Sequence, residues 1–449
     1  MLIVSIAIVL PLAAALTAYL VRPIRGASAA VAVQTVGVQI ILAAVVFEPG
    51  EYQVLGASFA LDATTHLFIL SILCFAAFTF VGAVLLGHSY SFFAIGLATL
   101  GFALAATIAE PPALAAPFLV GAGLLALFGL GEERLRPRLV VGERKYIVAV
   151  TGVGASLMAA FALAETYQVS HDAGIISPLV ALLVIGFGLV LAIFPFHFWL
   201  PDLAEMAPPM LVALLLGVVG LSAVSLMATV FQAMPWILSS DRVIGLLMGV
   251  GATTALLGAL LALSQDRLGR IFAYSVVSGS GFVLAVLSTA DAVGSMGGVL
   301  AALSQGLASL ILLFSFASLG SRAKMLTVEE VLARARPTPL MALGLAVGGL
   351  TIAGVPPTSG FIARWPVYQV VTERNAWMGL MLVVASALTF LCYLRLFHRL
   401  CVEAPVWDVG KGKSLALGGV ILVLAGLSIA GGLYPSPVVD VLADALKGM

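Results

Sequence analysis

The chain contains 449 residues, of which 62% are hydrophobic and only 9% are charged. Soluble domains carry about 25% charged residues, so this composition excludes a set of soluble domains and predicts an all-α polytopic membrane protein. The 21 basic and 21 acidic residues balance, and a net charge of zero predicts no nucleic-acid partner. The three cysteines, Cys74, Cys392 and Cys401, fit neither a disulfide framework nor a metal site.

Apolar runs recur along the chain, each long enough to cross a bilayer of about 30 Å. We predict fourteen spans at 1–21, 27–47, 65–87, 91–110, 112–130, 145–165, 178–200, 209–233, 243–265, 270–290, 293–320, 338–372 with an interruption, 375–398 and 414–433. The first is interpreted as a spanning helix because it lacks the basic leader and cleavage site of a signal peptide. Residues 328–336 are predicted to form an amphipathic surface helix.

Charge bias predicts the orientation. With the loop at 21–26 in the cytoplasm, seventeen basic residues fall on the cytoplasmic side: Arg22, Arg25, Arg134, Arg136, Arg138, Arg144, Lys145, Arg267, Arg270, Arg322, Lys324, Arg334, Arg336, Arg395, Arg399, Lys411 and Lys413. Four fall on the opposite side: Arg242, Arg364, Arg374 and Lys447. Cytoplasmic loops are enriched in Lys and Arg, so both termini are predicted to lie outside the cytoplasm, in a bacterial inner membrane.

Two proline-containing segments interrupt predicted helices. Pro195 breaks the seventh span, and Gly354 to Gly360, with Pro356-Pro357, breaks the twelfth. Interrupted helices at corresponding places in two halves are typical of inverted repeats. We therefore predict one transmembrane domain, 1–449, with N-terminal helices at 1–90, five-helix repeats at 91–233 and 243–398, and a C-terminal helix at 414–449.

Polar residues near the two breaks are the candidate proton-path residues. His197 either relays protons, since histidine titrates near neutrality, or hydrogen-bonds a carbonyl freed by Pro195. Asp202 and Glu205 form either an entry funnel for protons or a capping box. Arg364 stays charged and either fixes an anionic partner or holds the broken helix. Gln305, with nearby serines, either holds water or bonds neighbouring helices.

The segment around the first break is the strongest motif. Phe194-Pro195-Phe196-His197-Phe198-Trp199-Leu200-Pro201-Asp202 with Ala207-Pro208 resembles the P-x-H-x-W-L-P-D-A-x-x-x-A-P segment of the antiporter-like membrane subunits of complex I (NADH-quinone oxidoreductase), Mrp sodium/proton antiporters and membrane-bound hydrogenases. Four more matches follow in that family's order: Leu61-Asp62, Lys145-Tyr146, Leu263-Ser264-Gln265-Asp266 with Arg270-Ile271-Phe272-Ala273-Tyr274-Ser275, and Gly354-Val355-Pro356-Pro357 with Gly360-Phe361.

The resemblance implies a relay of a glutamate and several lysines at membrane depth, and this chain departs from it. The expected glutamate of helix five falls at or near Ala122. The expected lysines fall at Val190, at or near Leu221, and at Ser309. The histidine that the family pairs with the last of these lysines falls at Gln305. Gly269 replaces the lysine before Arg270, and only Arg364 keeps a charge. Most of the relay is therefore expected to be absent.

The sequence predicts a non-catalytic membrane subunit of an ion-translocating assembly related to complex I, hydrogenases or Mrp antiporters. With the relay replaced, it is either a structural subunit or a degenerate proton channel. Its predicted partners are other membrane subunits, the bilayer, and protons or Na⁺. The alternative is a stand-alone secondary transporter for a small solute or ion. Neither a dinucleotide loop nor haem or iron–sulfur ligand spacing is present, so no cofactor is predicted.

Overall fold

A computed structural model describes residues 2–24, 26–46, 50–54, 57–129, 137–289, 292–320, 323–334, 336–403, 407, 412–437 and 439–440. The helices are α1 Leu2–Leu20, α2 Ala27–Val46, α3 Ala63–Leu86, α4 Tyr90–Ile108, α5 Pro112–Phe128, α6 Pro137–Ser170, α7 Ile176–Val190, α8 Leu200–Met206, α9 Pro209–Leu214, α10 Gly220–Ala233, α11 Asp241–Leu263, α12 Leu268–Leu287, α13 Ala292–Ser318, α14 Val328–Arg334, α15 Pro339–Ala353, α16 Ser359–Arg374, α17 Ala376–Phe397 and α18 Lys413–Leu433. Two π-helical segments, Leu215–Val219 and His398–Val402, extend α10 and α17.

Helix length and composition establish an integral membrane protein. Among the described residues, ten helices are long and apolar enough to cross a membrane. Four shorter apolar helices accompany them: Ile6–Leu20, Pro112–Phe128, Ile176–Val190 and Pro339–Ala353. The two interrupted helices have the breaks that their prolines predict, since proline removes a helical hydrogen bond and clashes with the preceding turn.

The chain divides into two compact units, each described here by itself. The first comprises Met1–Ala192 and Leu214–Val243. It contains α1 to α7, α10 and a small antiparallel sheet of β1 Gly50–Val54, β2 Ala57–Leu61 and β3 Ala109–Glu110, in the order β1-β2-β3. These strands were not predicted: β1 and β2 lie in a connection between predicted spans, and β3 lies at the end of the predicted span 91–110. Asp62 then caps α3, since its Oδ1 accepts a 2.6 Å hydrogen bond from the Thr65 N–H.

The second unit comprises Ile193–Ala213 and Ile244–Met449. It contains α8, α11 to α18 and nearly all of α9, and its core includes the buried aromatic rings of Phe272, Phe282, Phe314 and Phe316. Thr338 caps α15 and Asn375 caps α17 by accepting backbone N–H groups. The short helix α14 confirms the predicted surface helix at 328–336, with Glu329, Glu330 and Arg334 exposed.

The orientation stays a prediction. Arg25, Arg134, Arg136, Arg322, Lys411 and Lys447 lie outside the described residues, as do the side chains of Arg138 and Lys413. Two residues in the charge count are buried within the second unit: Arg364, counted on the outer side, is 6% exposed, and Lys324, counted on the cytoplasmic side, is 2% exposed. Neither therefore reports the charge of an exposed loop.

Candidate functional site

The first break places His197 in a short 3-10 turn. The turn Phe196–Trp199 follows Pro195 and leads into α8. The imidazole lies between two aromatic rings, 5.4 Å from the centroid of Phe194 and 5.9 Å from that of Tyr274. Its Nδ1 is buried and has no hydrogen-bond partner. The prediction that His197 caps a freed carbonyl is therefore not supported, because the ring is held by stacking.

Asp202 and Glu205 lie on α8 and face the start of α12. Glu205 is buried, and its two carboxylate oxygens each accept a 2.6 Å hydrogen bond, one from Arg267 Nη1 and one from Arg270 Nε. Arg270 also lies 3.3 Å from Asp202 Oδ1. The two acidic residues are thus compensated by two arginines.

The predicted capping box at Asp202 and Glu205 is wrong. The N-cap of α8 is Trp199, and no side chain caps this helix because Asp202 already lies within its first turn. A capping box does occur at the start of α14, where Thr327 N–H donates to Glu330 Oε2 at 2.9 Å and Glu330 N–H donates to Thr327 Oγ1 at 3.3 Å. This backbone hydrogen bond lowers the pKa of the exposed Glu330 carboxylate.

Lys324 is a buried charged residue that the sequence analysis placed only in a cytoplasmic loop. It is 2% exposed and lies just before α14. Its Nζ donates to the carbonyl oxygens of Ala204 at 2.9 Å and Ala207 at 2.7 Å. The last carbonyls of a helix have no intrahelical partner and carry partial negative charge. Lys324 therefore caps the C-terminus of α8.

Gly269 lies where the resemblance predicts a lysine, and the structure explains its identity. A Cβ atom at this position would lie 2.6 Å from Glu205 Cα and 3.0 Å from the carbonyl oxygen of Lys324. Atoms of two backbone segments occupy this space, so a larger side chain requires backbone movement. The close approach allowed by glycine brings α12 against α8 and places Arg267 and Arg270 at Glu205.

The second break is held by Arg364. Helix α15 ends at Gly354, whose φ of +71° is left-handed and favours glycine. The Arg364 guanidinium donates to the carbonyl oxygens of Ile352 and Ala353 at the end of this helix. The guanidinium carbon lies 3.8 Å from the Phe282 ring centroid. This geometry agrees with the predicted structural role of Arg364.

A second set of contacts joins Arg364, which lies on α16, to helix α17. Its Nη1 also donates to Ser386 Oγ, which in turn contacts the Tyr368 hydroxyl. Among the described residues no carboxylate pairs with Arg364. The charge is balanced only by the helix terminus, hydroxyl groups and an aromatic face.

Gln305 lies beside a cavity in the second unit. Its Nε2 donates to the Val276 carbonyl at 3.2 Å and contacts Ser280 Oγ at 3.4 Å. Its Oε1 is buried without a partner. The cavity has a volume of about 20 Å³, enough for roughly one water molecule, and is lined by Gly279, Phe282, Ala301, Ser304, Gln305, Thr351, Ile352, Gly360, Ala363 and Arg364. Gln305 therefore bonds a neighbouring helix and also presents an unsatisfied acceptor to a polar cavity.

Four hydroxyl side chains form a series of contacts beside this cavity. Ser304 Oγ lies 3.4 Å from Ser359 Oγ, and Ser359 Oγ lies 3.3 Å from Ser428 Oγ. Ser428 Oγ lies 2.7 Å from Thr351 Oγ1. These four side chains connect α13, α16, α18 and α15 within the second unit. The arrangement provides hydrogen-bonding groups but contains no titratable one.

The positions expected to carry the relay are apolar or neutral. Ala122 and Leu221 are buried, and Val190 is the last residue of α7. Ser309 is buried and donates to the Gln305 carbonyl at 2.8 Å. Within the described parts of the chain only three charged side chains are buried, namely Glu205, Lys324 and Arg364. All three have compensating contacts in the second unit.

Comparison with known proteins identifies relatives along most of the chain. The family model described as "NADH:quinone oxidoreductase/Mrp antiporter, TM" matches residues 147–389. NADH-quinone oxidoreductase subunit N of Rhodopseudomonas palustris is 31% identical over 353 residues, covering 72% of this chain and 75% of the relative. The corresponding subunit of Chloroflexus aggregans is 28% identical over 278 residues, covering 59% of this chain and 55% of the relative. This alignment thus spans about half of that relative's length.

Solved structures share the fold. A chain of the archaeal membrane-bound sulfane sulfur reductase superposes with a TM-score of 0.86 at 19% identity, covering 100% of this chain and 97% of the other. A chain of respiratory complex I from Thermus thermophilus gives a TM-score of 0.81 at 19% identity, covering 98% and 99%. At this level of identity the likeness establishes the fold alone.

Proposed function

Because the chain belongs to the NADH:quinone oxidoreductase/Mrp antiporter transmembrane family, we propose that it is an antiporter-like subunit of a membrane complex related to complex I, and that it serves as a structural subunit without the lysine relay. The observation that carries this proposal is the replacement of the expected relay lysines by neutral residues at every position except Arg364. Proton relays in membranes need ionisable groups at depth. Ala122, Val190, Leu221 and Ser309 provide none.

The proposed architecture is the predicted one of fourteen spans with two five-helix inverted repeats at 91–233 and 243–398. The ten long and four shorter apolar helices support this count. The breaks after Val190 and after Ala353 support the repeats, because each falls in the fourth helix of its five in chain order. Both termini are proposed to lie outside the cytoplasm of a bacterial inner membrane, on the basis of the basic residues.

The proposed partners are other membrane subunits and lipid. Large apolar side chains are exposed along α17 and α18: Trp377, Leu380, Val383, Val384, Leu391, Leu394, Leu415, Leu422, Val423, Leu427 and Leu433. Such stripes require lipid or protein cover, because an exposed apolar patch in water is unfavourable. The relatives named as subunits support a multi-subunit assembly, and protons or Na⁺ are the ions that we propose for it.

A second role rests on His197. It is the one histidine at the first break, and its buried Nδ1 has no partner in the described structure. In this alternative His197 passes protons through water, with Asp202 and Glu205 as the entry. The two arginines bound to Glu205 argue against it, since both carboxylate oxygens already accept a hydrogen bond from an arginine side chain. A stand-alone transporter is disfavoured by the family match.

The test is purification from its native membrane in a mild detergent, followed by mass spectrometry of whatever remains bound. A subunit co-purifies with a stoichiometric set of further membrane proteins, including a redox or antiporter module. A chain that remains monodisperse and alone, and exchanges a solute or ion when reconstituted, would instead be a stand-alone transporter.

A further inference from the structure

We infer that the cavity beside Gln305 holds water and acts as a barrier to protons and metal cations, with the fixed charge of Arg364 as its basis. The inference rests on the proposed absence of a lysine relay and adds a function to the residues that replaced it. Two observations carry it. The cavity is lined by Gln305, whose buried Oε1 has no hydrogen-bond partner, and by the buried cation Arg364.

Water is the occupant that the cavity chemistry favours. A buried polar group without a partner costs free energy, and polar cavities of sufficient size are filled by ordered water. Gln305 Oε1 requires a donor, because its Nε2 is already directed at the Val276 carbonyl and at Ser280. A water molecule donates to this oxygen and accepts from the N–H and O–H groups of the lining side chains, Arg364 and Ser304 among them.

Water and hydroxyl groups form a path along which protons can move unless an electrostatic barrier opposes them. The contacts from Ser304 through Ser359 and Ser428 to Thr351 add hydroxyl groups to such a path beside the cavity, since Ser304 and Thr351 both line it. A chain without a relay therefore needs to prevent leakage here, because uncontrolled proton flow would dissipate the gradient that a complex of this class uses.

Arg364 supplies the barrier. Arginine stays protonated in proteins, and this side chain is 6% exposed and lacks a carboxylate partner among the described residues. A fixed charge acts strongly on a nearby ion in surroundings of low dielectric constant. Arginine and the positive ends of half-helices exclude protons and cations from other water-filled pores.

The start of α16 adds to the same field. Its N-cap, Thr358, makes no side-chain capping hydrogen bond, and Gly360 in its first turn lines the cavity. The first N–H groups of a helix are unpaired and equivalent to about half a positive charge. The negative end of α15, by contrast, is covered by the Arg364 contacts to Ile352 and Ala353. The cavity thus faces positive charge from the side chain and from the helix terminus.

The test is proton uptake by liposomes that contain the full purified chain, driven by a K⁺ diffusion potential and followed with an internal pH dye. Wild type should be as tight as protein-free liposomes. Arg364→Gln should raise the rate at least about tenfold, because the fixed charge is lost. Arg374→Gln is the matched control, since it removes an arginine from the same helix outside the cavity lining, and it should leave the rate unchanged.

A second pair of variants keeps the Arg364 contacts intact. Gln305→Glu is nearly isosteric and places a carboxylate in the cavity, which cancels the field and should also raise the rate about tenfold. Gln305→Leu removes the polar group but leaves the charge, and should stay tight. If Arg364→Gln does not fold, the proton uptake rates of Gln305→Glu and Gln305→Leu test the barrier on their own. Liposomes with Gln305→Glu that stay tight overturn the barrier. A wild type that leaks, and becomes tight with His197→Gln, overturns the proposed lack of a relay, whereas a leak that His197→Gln leaves unchanged overturns the barrier.

Discussion

The ammonium nitrogen of Lys324 lies 2.9 Å from the carbonyl oxygen of Ala204. The one buried lysine among the described residues is therefore engaged in closing a helix and is not placed within a spanning helix. Both buried cations among the described residues have the same role. Lys324 and Arg364 each donate hydrogen bonds to the carbonyl end of a helix beside a break.

Lys324→Met should destabilise the protein by about 2–4 kcal/mol, because two buried carbonyls lose a charged donor. The measurement is unfolding by SDS in mixed micelles, followed by tryptophan fluorescence. Arg334→Met is the control, since Arg334 is exposed on α14 and also carries one positive charge. Equal stability of the two variants would show that the Lys324 contacts contribute little.

Glu205→Gln should cost about 2 kcal/mol of unfolding free energy. Breaking a fully buried ion pair costs more, but Arg267 and Arg270 are 37% and 40% exposed, so water compensates part of the loss. The same unfolding assay measures it, with the exposed Glu329→Gln as the control. A Glu205→Gln protein as stable as the control would mean that the two arginines are equally well solvated without their partner.

Gly269→Ala should destabilise by about 1–3 kcal/mol, as overpacking usually does. The added methyl group would meet the Glu205 backbone at 2.6 Å. Gly245→Ala on α11 is the matched control, because nothing lies within 4 Å of a Cβ atom there. A loss in the first variant alone supports the close contact of α8 and α12, whereas no loss in either contradicts it.

Local sequence signals predicted the spans and the two breaks well. Apolar length locates the helices, and Pro195 and Pro356-Pro357 act on their own helices, but α6, predicted at 145–165, extends over Pro137–Ser170. The short β1–β2 hairpin was missed although Glu51-Tyr52-Gln53-Val54 alternates polar and apolar residues, because this short segment lies in a connection between two spans. The capping box was misplaced because its spacing also occurs by chance within a helical turn.

Contacts between residues far apart in the chain could not be predicted from the sequence. Glu205 meets arginines 62 and 65 positions later, and Lys324 meets carbonyls 120 and 117 positions earlier. Nothing in a single sequence indicates such pairings, since they depend on how α8 packs on α12. Gly269 allows the close contact between α12 and α8, but the residues beside it in the sequence do not indicate that Glu205 is its neighbour.

The most direct measurement of the central claim is potential-driven proton uptake by liposomes containing the purified wild-type chain, compared with His197→Gln and with protein-free liposomes. Glutamine keeps a hydrogen-bonding side chain at 197 but cannot titrate. Our account predicts the same low rate in all three. A wild-type rate well above that of protein-free liposomes, abolished by His197→Gln, would contradict it and assign a proton relay to His197.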